Sequence, residues 1–114
     1  MSECLFCQIV AGTIPSTRVA ESEHAYAFYD IAPMAKVHVL VVPKVHVDSA
    51  DHLEESNSHL LAEMVLLAQQ VADLEGVRSS GYRLVMNVGE DALMSVPHLH
   101  LHVLGGQRLR GSLG

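Results

Sequence analysis

The hydrophobic positions of this chain change period along its length. Between 37 and 43, Val37, Val39 and Val41 alternate with His38, Leu40 and Val42, and Pro43 closes the run. A period of two puts the first set on one face of a strand and the second on the other. The same period returns at 98–104, where His98, His100 and His102 alternate with Leu99, Leu101 and Val103. Read as a strand, this run lines up three imidazoles on one face, neighbours roughly 6–7 Å apart at a rise of about 3.3 Å per residue. Shorter runs at 17–21, 25–29 and 82–88 predict three further strands. Residues 59–75 instead follow the helical period: Leu60, Met64, Leu67, Val71 and Leu74 form a stripe, widened by Leu61, Val65, Ala68 and Ala72. Ser56, Asn57 or Ser58 caps this helix and Gly76 ends it. Such a stripe ordinarily packs into a core, and this one is wide enough for part of it to meet a second subunit.

Residues 4–11 are mostly apolar and predict a short helix stopped by Gly12; Ile14-Pro15 turns the chain into the first strand, and 31–36, with Pro33, is a loop. The order is short helix, three strands, long helix, two strands. It predicts an α+β domain with a five-stranded, mainly antiparallel sheet. At 114 residues the chain is one domain, 1–114, long enough to bury a core.

Charge then removes some function classes. The net charge is −6, with 7 Lys+Arg among 114 residues. That leaves no basic face to neutralise a phosphate backbone, so nucleic acid is not an expected partner. No apolar run approaches the roughly 20 residues of a membrane span. Met1-Ser2-Glu3-Cys4 has no basic region leading into an apolar one. A cytoplasmic protein with no membrane partner is expected, in which the pair Cys4-Leu5-Phe6-Cys7 stays reduced. The CxxC spacing suits a metal but supplies only half of a tetrahedral zinc site. The other reading is two buried thiols.

The histidines carry the chemistry. The chain has 8 of them, and imidazole can attack, shuttle protons or bind metal near neutral pH. A lone strand histidine is more often structural, and a solvated strand could carry the run at 98–104. Three in alternation, with His38 on another predicted strand, supply what a nucleophilic histidine needs. One nitrogen must be unprotonated, and a partner at the other must hold the tautomer.

The pattern H-φ-H-φ-H-φ-φ is matched throughout 98–104. With Phe6-Cys7-Gln8-Ile9-Val10, Ile14-Pro15, Phe28-Tyr29-Asp30-Ile31, His38 through His46, Gly81-Tyr82-Arg83, Asn87 and Leu104-Gly105-Gly106, the chain resembles the histidine triad (HIT) superfamily over nearly its whole length. The closest likeness is to its HINT-like branch of purine nucleotide hydrolases. The resemblance implies a HIT-like fold, a homodimer, and cleavage at the α-phosphorus of a purine nucleoside phosphoramidate or related conjugate. His100 is similar to the family nucleophile, which forms a nucleotidyl-histidine that water opens to a nucleoside monophosphate. His102 matches the third triad histidine, His38 the histidine completing the cluster, and Ser95 a hydroxyl serving the leaving group. Asn87 matches an amide near phosphate and ribose, and Asp30 a carboxylate that accepts from the ribose hydroxyls. Phe6, Ile9, Ile14, Phe28 and Ile31 would wall the base. Members with CxxC bind zinc, and here Cys4, Cys7, His46 and His98 would form a closed structural Cys₂His₂ set.

The chain departs from the family at two places. The family usually has Gly-Gln before Ser/Thr-Val; here Leu93-Met94 precede Ser95-Val96. Met94 cannot donate a hydrogen bond to phosphate, and Leu93 adds bulk. The C-terminal segment, Gln107 to Gly114, also lacks the tryptophan common in that branch. Two alternatives therefore stand beside the phosphoramidase reading: a nucleotide-binding or interaction protein with little turnover, and a dinucleoside polyphosphate hydrolase. The second needs room and donors that Leu93-Met94 do not supply.

Overall fold

Five antiparallel strands in the order β1-β2-β3-β5-β4 form the single sheet of the computed structural model, which describes residues 3–111. In chain order the elements are α1 (Leu5–Ala11), β1 (Arg18–Glu21), β2 (Ala25–Tyr29), β3 (Val37–Pro43), α2 (His59–Leu74), β4 (Tyr82–Val85) and β5 (Leu101–Gly105). Short 3₁₀ turns at Ala50–His52 and Glu90–Ala92 punctuate the loops. The α+β class and the five-stranded antiparallel sheet are as the patterning predicts.

The two periods meet on one face of the sheet. Val39 and Val41 of β3, Val103 and Leu101 of β5, and Ala27 of β2 pack against Met64, Leu67, Ala68 and Val71 of α2. Each fully buried aliphatic side chain contributes about 1.5–3 kcal/mol relative to exposure, which fixes the sheet's orientation toward α2. The opposite face of β3 and β2, with Leu40, Val42 and Phe28, packs on Phe6 and Ile9 of α1. The histidines belong to this second face, so a seven-residue helix rather than the long one covers them. Among the described residues no helix is long and apolar enough to cross a membrane.

Two predicted strands are shorter in the structure. The run at 98–104 keeps its alternation, since Leu99, Leu101 and Val103 all join the α2 side. Its ladder begins only at Leu101, opposite Val41. Two residues upstream, the facing residue on β3 is Pro43, which has no N–H to give. Its carbonyl accepts instead from His98 Nε2 at 2.9 Å, and the Leu99 amide turns away to the Val47 carbonyl at 2.6 Å. The strand predicted to Val88 ends at Val85, paired with His102; two residues further on, the facing residue would be His100, which lies outside β5. Small boundary shifts occur elsewhere: β1 starts at Arg18 and α2 ends at Leu74. Ser58 is the cap residue of α2 but its hydroxyl bonds the Glu55 carbonyl instead of the helix.

Candidate functional site

Pro43 and the irregular segment it imposes at 98–100 organise two histidine clusters. The first joins both ends of the chain. Cys4 is the N-cap of α1, its sulfur accepting from the Cys7 amide, so both thiols project from the first turn. They meet His98 from the segment before β5 and His46 from the loop after β3. Cys4 Sγ lies 3.3 Å from His98 Nδ1, Cys7 Sγ 3.3 Å from His46 Nδ1 and 3.5 Å from His98 Nδ1. A tetrahedral Zn²⁺ with bonds of about 2.3 Å to sulfur and 2.0–2.1 Å to nitrogen has S···N edges of about 3.5 Å. The tautomers agree. His98 Nε2 donates to the Pro43 carbonyl and His46 Nε2 to the Asp48 carboxylate, which leaves both Nδ1 lone pairs for a metal. The four predicted ligands, Cys4, Cys7, His46 and His98, therefore form one group fit for a metal ion.

The second cluster starts at the His98 backbone. His100 Nδ1 lies 2.7 Å from the His98 carbonyl. A carbonyl only accepts, so the proton sits on Nδ1 and Nε2 keeps its lone pair. Beside it the His102 ring packs 5.1 Å away. His38 Nδ1 accepts from the Met34 amide at 3.0 Å, so neutral His38 carries its proton on Nε2. That Nε2 donates to His102 Nδ1 at 2.9 Å, leaving the His102 proton on Nε2. His100 can thus accept a proton or attack through Nε2 and neutral His102 can donate there, both tautomers tracing back to two backbone groups, the His98 carbonyl and the Met34 amide.

Asp30, His38 and His102 also lie within ligand distance of one another, and Asp30 Oδ2 is 3.4 Å from His38 Nε2. The proton arrangement argues against a metal there. A His38 that accepts at Nδ1 could ligate through Nε2 only as an imidazolate. The group is better described as a proton-holding chain. Burial holds His38 below the ordinary histidine pKa, against the pull of Asp30. Burial, then repulsion by the His100 and His38 rings, lowers His102 to about 4. Burial likewise lowers His98.

A cavity of about 260 Å³ opens beside these rings. Its walls include Phe6, Ile9, Ile14, Phe28, Asp30, Ile31, Ser95, His100 and His102, all predicted from sequence. Phe6 stands edge-on to Phe28 and to His100, at 5.6 and 5.1 Å between centroids. The lining combines apolar side chains with two histidines, the Ser95 hydroxyl and the Asp30 carboxylate. Asp30 is partly engaged already: its Oδ1 accepts from the Ala32 amide at 2.8 Å. His38 sits behind His102 and does not border the cavity. Asn87, two residues beyond β4, does not border it either. Sequence reasoning missed Leu5, Pro15, Ser16, Tyr29, Leu40 and Val96 as wall residues; Ile14-Pro15 was the available hint. A larger open depression of about 820 Å³, beside β4 and Gly106–Leu109, holds none of the histidines.

Leu93 is the one non-glycine residue with positive φ among the described residues, at φ 61 and ψ 36. Its side chain is 83% exposed and points into no described wall of the cavity. A leucine in this left-handed region costs about 1–2 kcal/mol. The backbone therefore keeps a glycine-like turn before Ser95, although the residue is not glycine.

Known proteins resemble this chain in both sequence and fold. The HIT domain model matches residues 11–109. An uncharacterized 13.2 kDa HIT-like protein of Azospirillum brasilense is 43% identical over 106 residues, covering 92% of this chain and 87% of that protein. The purine nucleoside phosphoramidase of Escherichia coli K12 is 34% identical over 107 residues, covering 94% and 90%. Among solved structures, a HIT family hydrolase from Legionella pneumophila Philadelphia 1 superposes with TM-score 0.94 at 41% identity, covering 98% of this chain and 100% of that one. A HIT family hydrolase from Clostridium thermocellum superposes with TM-score 0.96 at 38% identity, covering 100% and 99%.

Two outcomes follow for stability. The native state refuses a proton at His102 until about pH 4, whereas an unfolded histidine accepts one near 6.5. Stability carried by neutral His102 is present above about pH 6.5 and is lost as pH falls toward 4. Urea unfolding at pH 7.5 and pH 5 will show a smaller loss in His102→Gln than in the parent chain; an equal loss contradicts the assignment. At position 93, Leu93→Gly will be neutral or stabilising by up to about 1 kcal/mol, relief of strain being offset by glycine's entropy. Leu93→Val, β-branched, will destabilise by about 1 kcal/mol or more. The reverse order would show that the turn is not left-handed.

Proposed function

This chain belongs to the HIT family, and we propose that within it the protein is a nucleotide hydrolase of the purine nucleoside phosphoramidase type. The observation that carries the reading is the His100 tautomer: Nδ1–H is committed to the His98 carbonyl at 2.7 Å, and Nε2 is free at the wall of a nucleoside-sized cavity.

In this reading the purine enters the apolar end among Phe6, Ile9, Ile14, Phe28 and Ile31, and the ribose hydroxyls reach the accessible Asp30 oxygen. The α-phosphate then lies at the histidines. His100 Nε2 attacks phosphorus, and the bond from phosphorus to the leaving amine breaks. The Ser95 hydroxyl delivers a proton to the departing nitrogen. The imidazole becomes cationic as the P–N bond forms, and its Nδ1–H bond to the His98 carbonyl strengthens with that charge. Neutral His102, its proton on Nε2, donates to a phosphate oxygen, while His38 and Asp30 keep that tautomer. Water then attacks the nucleotidyl-histidine, the P–Nε2 bond breaks, and a nucleoside monophosphate leaves with its proton balance restored through solvent. Asn87 stays assigned to phosphate or ribose on the family pattern alone.

Zn²⁺ is the proposed ion of the Cys4, Cys7, His46 and His98 group. With four protein ligands it has no open position, so its role is structural. We assign a homodimer and a cytoplasmic location. β4 is an open sheet edge with Leu84 half-exposed, and Leu66 and Leu74 of α2 face outward.

A second reading, a nucleotide-binding protein with little turnover, is favoured by Met94, whose side chain cannot donate where the family pattern supplies a side-chain amide. Loss of one such donor costs on the order of 10²–10³ in rate when it acts in the transition state. Hydrolysis of a dinucleoside polyphosphate is disfavoured, since among the described residues no Lys or Arg borders the cavity. An adenosine phosphoramidate incubated with the parent chain and with His100→Ala decides among these. We expect release of AMP by the parent and a loss of at least about 10³-fold in the variant, in line with removal of a covalent nucleophile. Equal release from both refutes the mechanism; tight AMP binding without release supports the second reading.

A further inference from the structure

The metal group and the nucleotide cavity share their supports. Cys4 caps α1 and Cys7 lies in its first turn, and between them Phe6 is buried, 5% exposed. The Phe6 ring stands edge-on to both His98, at 5.9 Å, and His100, at 5.1 Å. The same helix gives the cavity Leu5, Phe6 and Ile9. On the other side, His98 offers its ring to the metal group and its backbone carbonyl to His100 Nδ1. One residue thus meets the thiols with its side chain and His100 with its main chain.

Neither support is tied to the sheet by a backbone ladder. A helix of seven residues is too short to persist alone. Residues 98–100 precede the β5 ladder and are tied by isolated bonds to Val47 and Pro43. An ion bonded at once to Cys4, Cys7 and His98 would clamp α1 to the nucleophile segment. We propose that metal binding and nucleotide binding are thermodynamically coupled in this chain, with Cys4, Cys7, His46 and His98 acting as positioning residues for the cavity. The inference rests on the nucleotide reading of that cavity. The ion orders the α1 wall and the His98 carbonyl before nucleotide arrives, so the nucleotide does not meet that ordering cost. Reciprocity requires the nucleotide to raise metal affinity by the same factor.

The test uses the reduced full-length chain, loaded with Zn²⁺ or stripped by a chelator. Calorimetry gives the AMP dissociation constant in each state. Competition with a chromophoric chelator gives the Zn²⁺ constant with and without saturating AMP. We expect both constants to change in the same direction by about tenfold, within the usual 5–150-fold range of such coupling. AMP affinity equal in the two states within about twofold overturns the proposal, and so does a chain that binds no Zn²⁺. If stripping unfolds the chain, His46→Ala, which lacks only the exposed ligand, is titrated with Zn²⁺ instead under the same criterion. Hydrogen exchange of amides 5–11 and 98–100 supplies a readout independent of nucleotide. Protection of both segments must rise with Zn²⁺, and unchanged protection refutes the clamp. If loaded protein binds no AMP while protection does rise, it is the nucleotide reading that fails and the clamp that stands.

Discussion

The bond from His100 Nδ1–H to the His98 carbonyl, 2.7 Å long and buried, is the constraint on which the rest of the site depends. It decides which imidazole nitrogen has a lone pair, and so which one can react. The bond exists because residues 98–100 are not part of the sheet. In a regular ladder the His98 carbonyl would be spent on a neighbouring strand. β4 ends at Val85, opposite His102, and β5 pairs with β3 only from Leu101, so the His98 carbonyl is left to the ring two residues on. The point at which the ladders stop thereby sets the tautomer of a side chain just before β5.

The neighbouring histidines extend the same logic through burial. An ionised imidazole is costly in a partly dry site, so His38 and His102 stay neutral and each must then choose a tautomer. The Met34 amide makes the choice for His38, and His38 makes it for His102. The result is a row in which adjacent rings have opposite functions, one accepting at Nε2 and the next donating there. The metal group repeats the device with carbonyl and carboxylate partners, which turn the Nδ1 atoms of His98 and His46 toward the thiols. The same side chain thus offers, in four histidines, a proposed nucleophile, a donor and two candidate metal ligands, distinguished by what touches their other nitrogen.

Much of this was legible in the sequence, and the remainder was not for definite reasons. Alternation at 37–43 and the stripe at 59–75 predicted β3 and α2 because period and burial agree there. The late start of β5 and early end of β4 were hidden, since they depend on a proline across the sheet and on Val47, 52 residues upstream of Leu99. Most side chains of the site were readable, from Phe6 to His102, because their chemistry is in their identity. The groups that set the tautomers were not: the Met34 amide and the carbonyls of His98 and Pro43 belong to the backbone, which every residue has. Asp30 was read as a ribose acceptor, while the structure adds that one of its oxygens already holds the Ala32 amide. Leu93 was read as bulk near the phosphate; its exposed side chain and left-handed backbone recast it as a strained substitute for glycine.

The central claim is the protonation state of His100, and nitrogen-15 NMR of the histidine side chains reads it directly. At pH 7.5, with His100→Gln used to assign the resonance, the account predicts a neutral ring with a protonated Nδ1 and an unprotonated Nε2. A ring protonated at Nε2, or one averaging between tautomers, would contradict it.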